Sequence, residues 1–106
     1  MIDGWSKVSG MLGLAFRARQ LVTGVDFAVE AARTGKARVL LLDTAASENT
    51  RKRLRDAATH FGVPLYELPE GLMDQATGKS GRMAGAVLKG SFAEPIQTLL
   101  MAAGNG

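Results

Sequence analysis

Between Leu12 and Gly24 the chain carries Arg17, Arg19 and Gln20 and no acidic residue. Side chains of this kind recognise anions: guanidinium groups grip phosphate oxygens through paired N–H donors, and a neighbouring amide both donates and accepts. Downstream, Gly78-Lys79-Ser80 has the lettering of a phosphate-binding loop, but Gly71, the nearest preceding glycine, lies too far back for that pattern. The triplet also precedes an expected strand instead of a helix. It reads as a turn with a solvent lysine, or as a basic lip that touches a polyanion backbone together with Arg82. Arg51, Lys52, Arg53 and Arg55 form the densest positive cluster; on a helical wheel they oppose the apolar stripe and are expected to face solvent.

Chemistry that breaks bonds has little to work with. Cysteine is absent and His60 is the single histidine, placed beside Phe61 at an expected helix end, where it serves as a capping or surface group. No Asp or Glu stands at a diagnostic spacing from a second acid, a histidine or a nucleophile, so neither an enzyme nor a metal or cofactor site is expected. Asp26, Glu30 and Arg33 share one helical face, where an ion pair between Glu30 and Arg33 is the simplest outcome.

The elements that must position these groups follow from periodicity. Trp5, Val8, Leu12 and Ala15 predict a helix from about Trp5 to Arg17, and Leu21-Val22-Thr23 a short strand. Gly24 leads a second helix with an inward stripe of Val25, Ala28, Val29 and Ala32, closed by a left-handed Gly35. Arg38 to Leu42 reads as a buried strand. Ser47 caps a third helix built on Leu54, Ala57, Ala58 and Phe61 and ended by Gly62. Val63-Pro64 precedes a strand at Leu65-Tyr66-Glu67, and Pro69 starts a fourth helix that Gly78 stops after Thr77. Lys79-Ser80-Gly81 is a loop, Met83 to Lys89 a strand weakened by Gly85, and Ser91 the cap of a last helix to about Ala102, with Gly104-Asn105-Gly106 a frayed tail. Helices alternating with short apolar strands predict an α/β fold, a three-layer α/β/α sandwich around a small mixed sheet of about four strands.

With 106 residues, this is one domain, residues 1–106, large enough for a real core. Thirteen Lys and Arg against ten Asp and Glu give a charge of +3, which permits a polyanion partner. The N-terminal residues lack the pattern of a secretory signal and no run approaches a membrane span, so a cytoplasmic protein with no membrane partner is expected. Trp5, Phe16, Phe61, Tyr66 and Phe92 are expected in the core. Phe27 projects away from its helix's stripe, and either packs on a neighbouring helix or offers a stacking surface to a splayed base.

Five motifs in order carry a resemblance: Leu12-Gly13-Leu14-Ala15 with Arg17, Leu21-Val22-Thr23-Gly24, Thr34-Gly35-Lys36-Ala37-Arg38, Ala46-Ser47-Glu48-Asn49-Thr50 and Val63-Pro64. Over nearly the whole chain the sequence resembles the bacterial YlxQ branch of the kink-turn-binding ribosomal protein superfamily, the L-seven-Ae type with the L-thirty-e fold. The resemblance implies a monomeric, non-enzymatic domain that binds structured RNA, kink-turn-like or ribosomal, and that meets ribosome-associated proteins, with no cofactor. It places RNA at the start of the second helix, on Gly24, Val25 and Asp26, and at the loop before the last strand, on Lys79, Ser80, Gly81, Arg82 and Met83; Thr23 and Phe27, which flank the first surface, are added as candidates. Arg17, Arg19 and Gln20 complement these. Strong kink-turn binders carry Asn-Glu-x-x-Lys at that helix start, where this chain has Asp26, Phe27 and Glu30. The substitution puts acceptors and negative charge where a phosphate-facing lysine is wanted. It keeps a rival open: a protein-interaction module on the same fold that has lost kink-turn affinity.

Overall fold

The computed structural model describes residues 4–104. Met1, Ile2, Asp3, Asn105 and Gly106, and with them most of the expected tail, lie outside the described residues. The chain runs α1 (Gly4–Arg17), β1 (Leu21–Thr23), α2 (Val25–Arg33), β2 (Ala37–Asp43), α3 (Glu48–Phe61), β3 (Leu65–Leu68), α4 (Leu72–Thr77), β4 (Ala84–Leu88) and α5 (Ala93–Gly104). The strands form one four-stranded mixed sheet in the order β1-β4-β2-β3. β4 is antiparallel to both of its neighbours, whereas β2 and β3 run parallel.

Alternation along the strands divides the core in two. Leu21, Val39, Leu41 and Val87 pack with Val8, Leu12, Leu72, Met73, Ile96 and Leu100 of α1, α4 and α5. Val22, Leu40, Leu42, Ala84 and Ala86 face Ala28, Ala32, Leu54 and Ala57 of α2 and α3. The expected three-layer sandwich is therefore the observed one. The second layer is built largely of alanines, which lets α2 lie close on the sheet. Gly85 belongs to the same economy of space: a Cβ there would sit 2.9 Å from the Val22 carbonyl oxygen and 3.1 Å from Met73 Sδ.

Several expectations need correction. Pro69 does not start α4; its carbonyl accepts from Leu72 N at the end of a turn in which Gly71 is left-handed, and the helix begins at Leu72, three residues after the proline. Ser91 does not cap α5, because it lies in a turn closed by Ala93 N donating to Gly90 O, and the helix runs from Ala93 to Gly104. The strand expected from Met83 to Lys89 is Ala84–Leu88, and β2 gains Ala37 and Asp43 beyond the expected Arg38 to Leu42. On α2, Ala31 is buried while Val25 and Val29 are only half-buried, since the small-residue face turns towards the sheet. Phe61 is 37% exposed instead of core, lying at the helix end against His60 in an edge-to-face contact with centroids 4.7 Å apart.

Helix ends also set the stage for the site. Gly35, Gly62 and Gly78 end α2, α3 and α4 in the left-handed region. At the end of α1 the same job falls to Arg19, φ 61°, with Gln20 N donating to Ala15 O and Arg19 N to Phe16 O. That pair of bonds is the Schellman arrangement, in which the left-handed position normally holds glycine.

Candidate nucleic-acid interface

β1 ends at Thr23, and the turn into α2 is made by Gly24 at φ 110°, ψ 140°, a conformation that side chains other than hydrogen do not tolerate. Gly24 N donates to Ala84 O at 2.8 Å, so the N-terminus of α2 is tied to the start of β4. No side chain caps α2. The amides of Val25, Asp26 and Phe27 belong to the first turn, which has no intrahelical acceptors to offer them, and they carry the positive end of the helix dipole. The Phe27 ring folds back over Gly24, whose Cβ position would lie 3.3 Å from Phe27 Cδ2. The ring is 69% exposed, so packing on a neighbouring helix is not its role.

The second expected surface converges on this one. Asp74 on α4 clamps the loop: its Oδ2 accepts from Gly81 N at 2.9 Å and its Oδ1 from Arg82 N at 2.7 Å. Gly78 and Gly81 are both left-handed and bracket the exposed Lys79 and Ser80. Met83 O accepts from Asp43 N, and the next residue's carbonyl takes Gly24 N, so loop and helix start adjoin at one end of the sheet. Arg82 Nε is buried and has no hydrogen-bond partner among the described residues, an unmet donor at the rim of this surface.

Arg17 and Arg19 are placed differently. They stand at the opposite end of β1 from Gly24, and reach it through a largely apolar groove of about 450 Å³ lined by Phe16, Arg17, Arg19, Leu21, Thr23 and Phe27. β1 is an edge strand, so this groove runs along unpaired backbone. Gln20 does not join it, because its side-chain oxygen packs against Gly90, where a Cβ would come within 2.7 Å.

Arg19→Gly would relieve a left-handed arginine while deleting a cation. We expect a gain of up to about 1 kcal/mol, a few degrees in thermal unfolding, because the αL penalty exceeds the extra chain entropy of glycine. An unchanged or lowered melting temperature would show that the arginine is not strained there.

The two acids that depart from the kink-turn pattern are not left as bare charges. Asp26 accepts from Arg53 of α3 at 2.8 Å, and Glu30 takes a forked contact from Arg33 at 3.0 and 2.6 Å. The hydrogen bond from Arg33 first, and its charge second, hold the Glu30 carboxyl below the usual carboxylate range. Such exposed pairs add little stability, yet they cancel charge locally. Arg51 does not face solvent as expected: its side chain is 14% exposed and bonds both Glu67 and the Thr44 carbonyl. Lys52 pairs with Asp56.

Sequence reasoning missed three residues that build the site. Asp43, 1% exposed, accepts from Ala45 N and Gly71 N and anchors the turns at the end of β2. Asp74 and Arg53 act through partners distant in sequence. An aspartate just upstream of a glycine-bracketed loop is a usable signal for the clamp; nothing local marks Arg53. Among the described residues, no group of three or more His, Cys, Asp or Glu is placed to hold a metal ion, and no helix is long and apolar enough to cross a membrane.

No family model matches the chain. It is 35% identical over 95 residues to the RNA-binding protein YlxQ of Enterococcus faecium, covering 89% of this chain and 91% of that one. It is 34% identical over 91 residues to the RNA-binding protein YlxQ of Bacillus subtilis strain 168, with 85% and 91% covered. Among solved structures, a protein of unknown function from Bacillus halodurans C superposes with a TM-score of 0.83 at 30% identity, covering 90% of this chain and 97% of that one. The Giardia lamblia 15.5kD RNA binding protein shares the fold alone, with a TM-score of 0.75 at 13% identity over 99% and 92% of the two chains.

Proposed function

Because this chain belongs to the YlxQ family of RNA-binding proteins, we propose that it binds structured RNA, kink-turn-like or ribosomal, as a non-enzymatic and ribosome-associated cytoplasmic protein. The observation that carries this reading is the junction of Gly24 N with Ala84 O, which sets an uncapped helix N-terminus beside a loop bearing Lys79 and Arg82. Helix amides bind phosphate oxygens, and a close backbone approach at Gly24 admits them. Phe27, exposed over the same turn, supplies a stacking face for an unstacked base. The objection from Asp26 and Glu30 is weakened by their arginines, since a carboxylate paired with a guanidinium repels a nearby phosphate less than a lone one.

Replacing Arg17 and Lys79 together by alanine should weaken binding to a kink-turn RNA at least about tenfold and reduce the magnitude of the salt slope by about 2. A titration at several salt concentrations reads both. Unchanged affinity would remove these residues from the interface. Wild-type protein that fails to discriminate a kinked RNA from a matched straight duplex would sink the kink-turn part of the reading.

A further inference from the structure

Cations of this protein fall into two groups. Arg33, Arg51, Lys52, Arg53 and Arg55 each meet a carboxylate within 4 Å, whereas the other eight have none in that reach among the described residues: Lys7 on α1, Lys79 and Arg82 at the loop already described, and a group made of Arg17, Arg19, Lys36, Arg38 and Lys89. This last group is not scattered. Gln20 O accepts from Leu88 N, and Lys89 N donates to Lys36 O, each at 2.9 Å, while Ala37 registers against Leu88. The chain entering β1, leaving β4 and entering β2 therefore lies side by side, at roughly 5 Å per strand. Arg17 and Arg19 precede the first strand, Lys89 follows the second, and Lys36 and Arg38 flank the start of the third.

Two acids approach this belt, Glu30 near Lys36 and Glu94, which lines a cleft with Gly90, while the groups between its cations are neutral. Gln20, packed on Gly90, separates Arg19 from Lys89. Arg38 and Lys89 line one cleft of about 370 Å³ with Gly35, Phe61, Pro64 and Gln97, and Arg38 Nε is oriented by donating to the Gln97 side-chain oxygen at 3.1 Å. Glu30 lies within electrostatic reach of Lys36, but Arg33 already holds its carboxylate. The belt occupies the opposite end of the sheet from Gly24 and the Lys79 loop, and the seven residues of β2 put about 20 Å between them.

We propose that Lys36, Arg38 and Lys89 extend the track begun by Arg17 and Arg19 into a second RNA contact, which takes the sugar-phosphate backbone of an arm projecting from the segment held at the α2 start. The proposal rests on the RNA-binding reading above. RNA is the occupant because the belt is continuous, through Arg17 and Arg19, with the groove that leads to Phe27 and Gly24. A row of cations without interleaved acids suits a uniform line of phosphates.

The test uses the whole chain, a short kink-turn RNA, and the same RNA with one stem extended past the 38 Å long axis of the protein. The variant Lys36→Ala/Arg38→Ala/Lys89→Ala should bind the short RNA as wild type does. On the extended RNA its salt slope should be smaller in magnitude than that of wild type by about 2 to 3, so that wild-type affinity falls roughly 40-fold further between about 50 and 200 mM salt. A parallel variant with glutamine at the three positions keeps the side-chain stems, and unfolding midpoints like that of wild type confirm that the fold is intact. Equal slopes on the extended RNA, with binding still lost in Arg17→Ala/Lys79→Ala, would overturn the belt and leave the RNA reading standing. If wild type binds neither RNA, both fall. If only an acidic protein is lost by the triple variant, the belt is a protein contact and the proposal is overturned.

Discussion

Gly24→Val is expected to lower RNA affinity about 100-fold and fold stability by roughly 1–3 kcal/mol. The stability loss follows from φ 110° and ψ 140°, a region that a β-branched residue does not enter without strain of that order. The affinity loss follows from geometry. Any relaxation of residue 24 shifts its amide off Ala84 O, and with it the first turn of α2 away from the Lys79 loop. Two charge-assisted hydrogen bonds lost at about 1.5 kcal/mol each suffice for the stated factor. Gly24→Ala should give the same direction with less strain. Thermal unfolding and an RNA titration on one preparation separate the two effects. If affinity survives while stability falls, the α2 start is a structural turn and not part of the interface.

The second large effect is expected at a residue that touches no ligand. Asp43→Ala should cost roughly 3–4 kcal/mol, a large part of the 5–15 kcal/mol that holds a domain of this size together. Asp43 is 1% exposed, and its two oxygens accept separately from Ala45 N at 2.7 Å and Gly71 N at 2.9 Å. Alanine leaves two amides without their acceptor, at about 1–3 kcal/mol each. Asp43→Asn retains one accepting oxygen and should lose about half as much. Urea unfolding of the three proteins gives the order directly; a loss below about 1 kcal/mol in the alanine variant would mean that water replaces both bonds. Because Asp43 N also donates to Met83 O, the loop beside Gly24 is expected to loosen first, with RNA affinity falling before the global midpoint is reached.

Those two residues mark where the sequence was and was not legible. The strand Leu21–Thr23, the helices before and after it, and the Ser47 cap, whose Oγ accepts from Thr50 N, are written in local periodicity and capping chemistry. The layer arrangement follows from the alternation of helix and strand signals. Pro69 and Ser91 misled because each is a good local start signal overridden from afar: Asp43 claims the amide of Gly71, and the turn at Gly90 absorbs Ser91. Phe61 misled because helical spacing marks a face and not where the neighbouring layer ends.

At the candidate site, the cations were readable as residue types, but which of them are spent on carboxylates was not. Arg53 meets Asp26 and Arg51 meets Glu67 only after α3 has docked. Lys36, Arg38 and Lys89 come together only through strand pairing. Charge composition belongs to the chain; charge availability belongs to the fold.

Arg19 has a bearing on redesign. A procedure that chooses residues by backbone preference would write glycine into the one left-handed helix end that lacks it, and the product would score as improved by every measure of folding. It would also have removed the cation that joins the groove at Phe27 to the basic end of the sheet. Under the proposed RNA contact, robustness and recognition make opposite demands on this single position, so a melting curve alone would reward the loss of a binding cation.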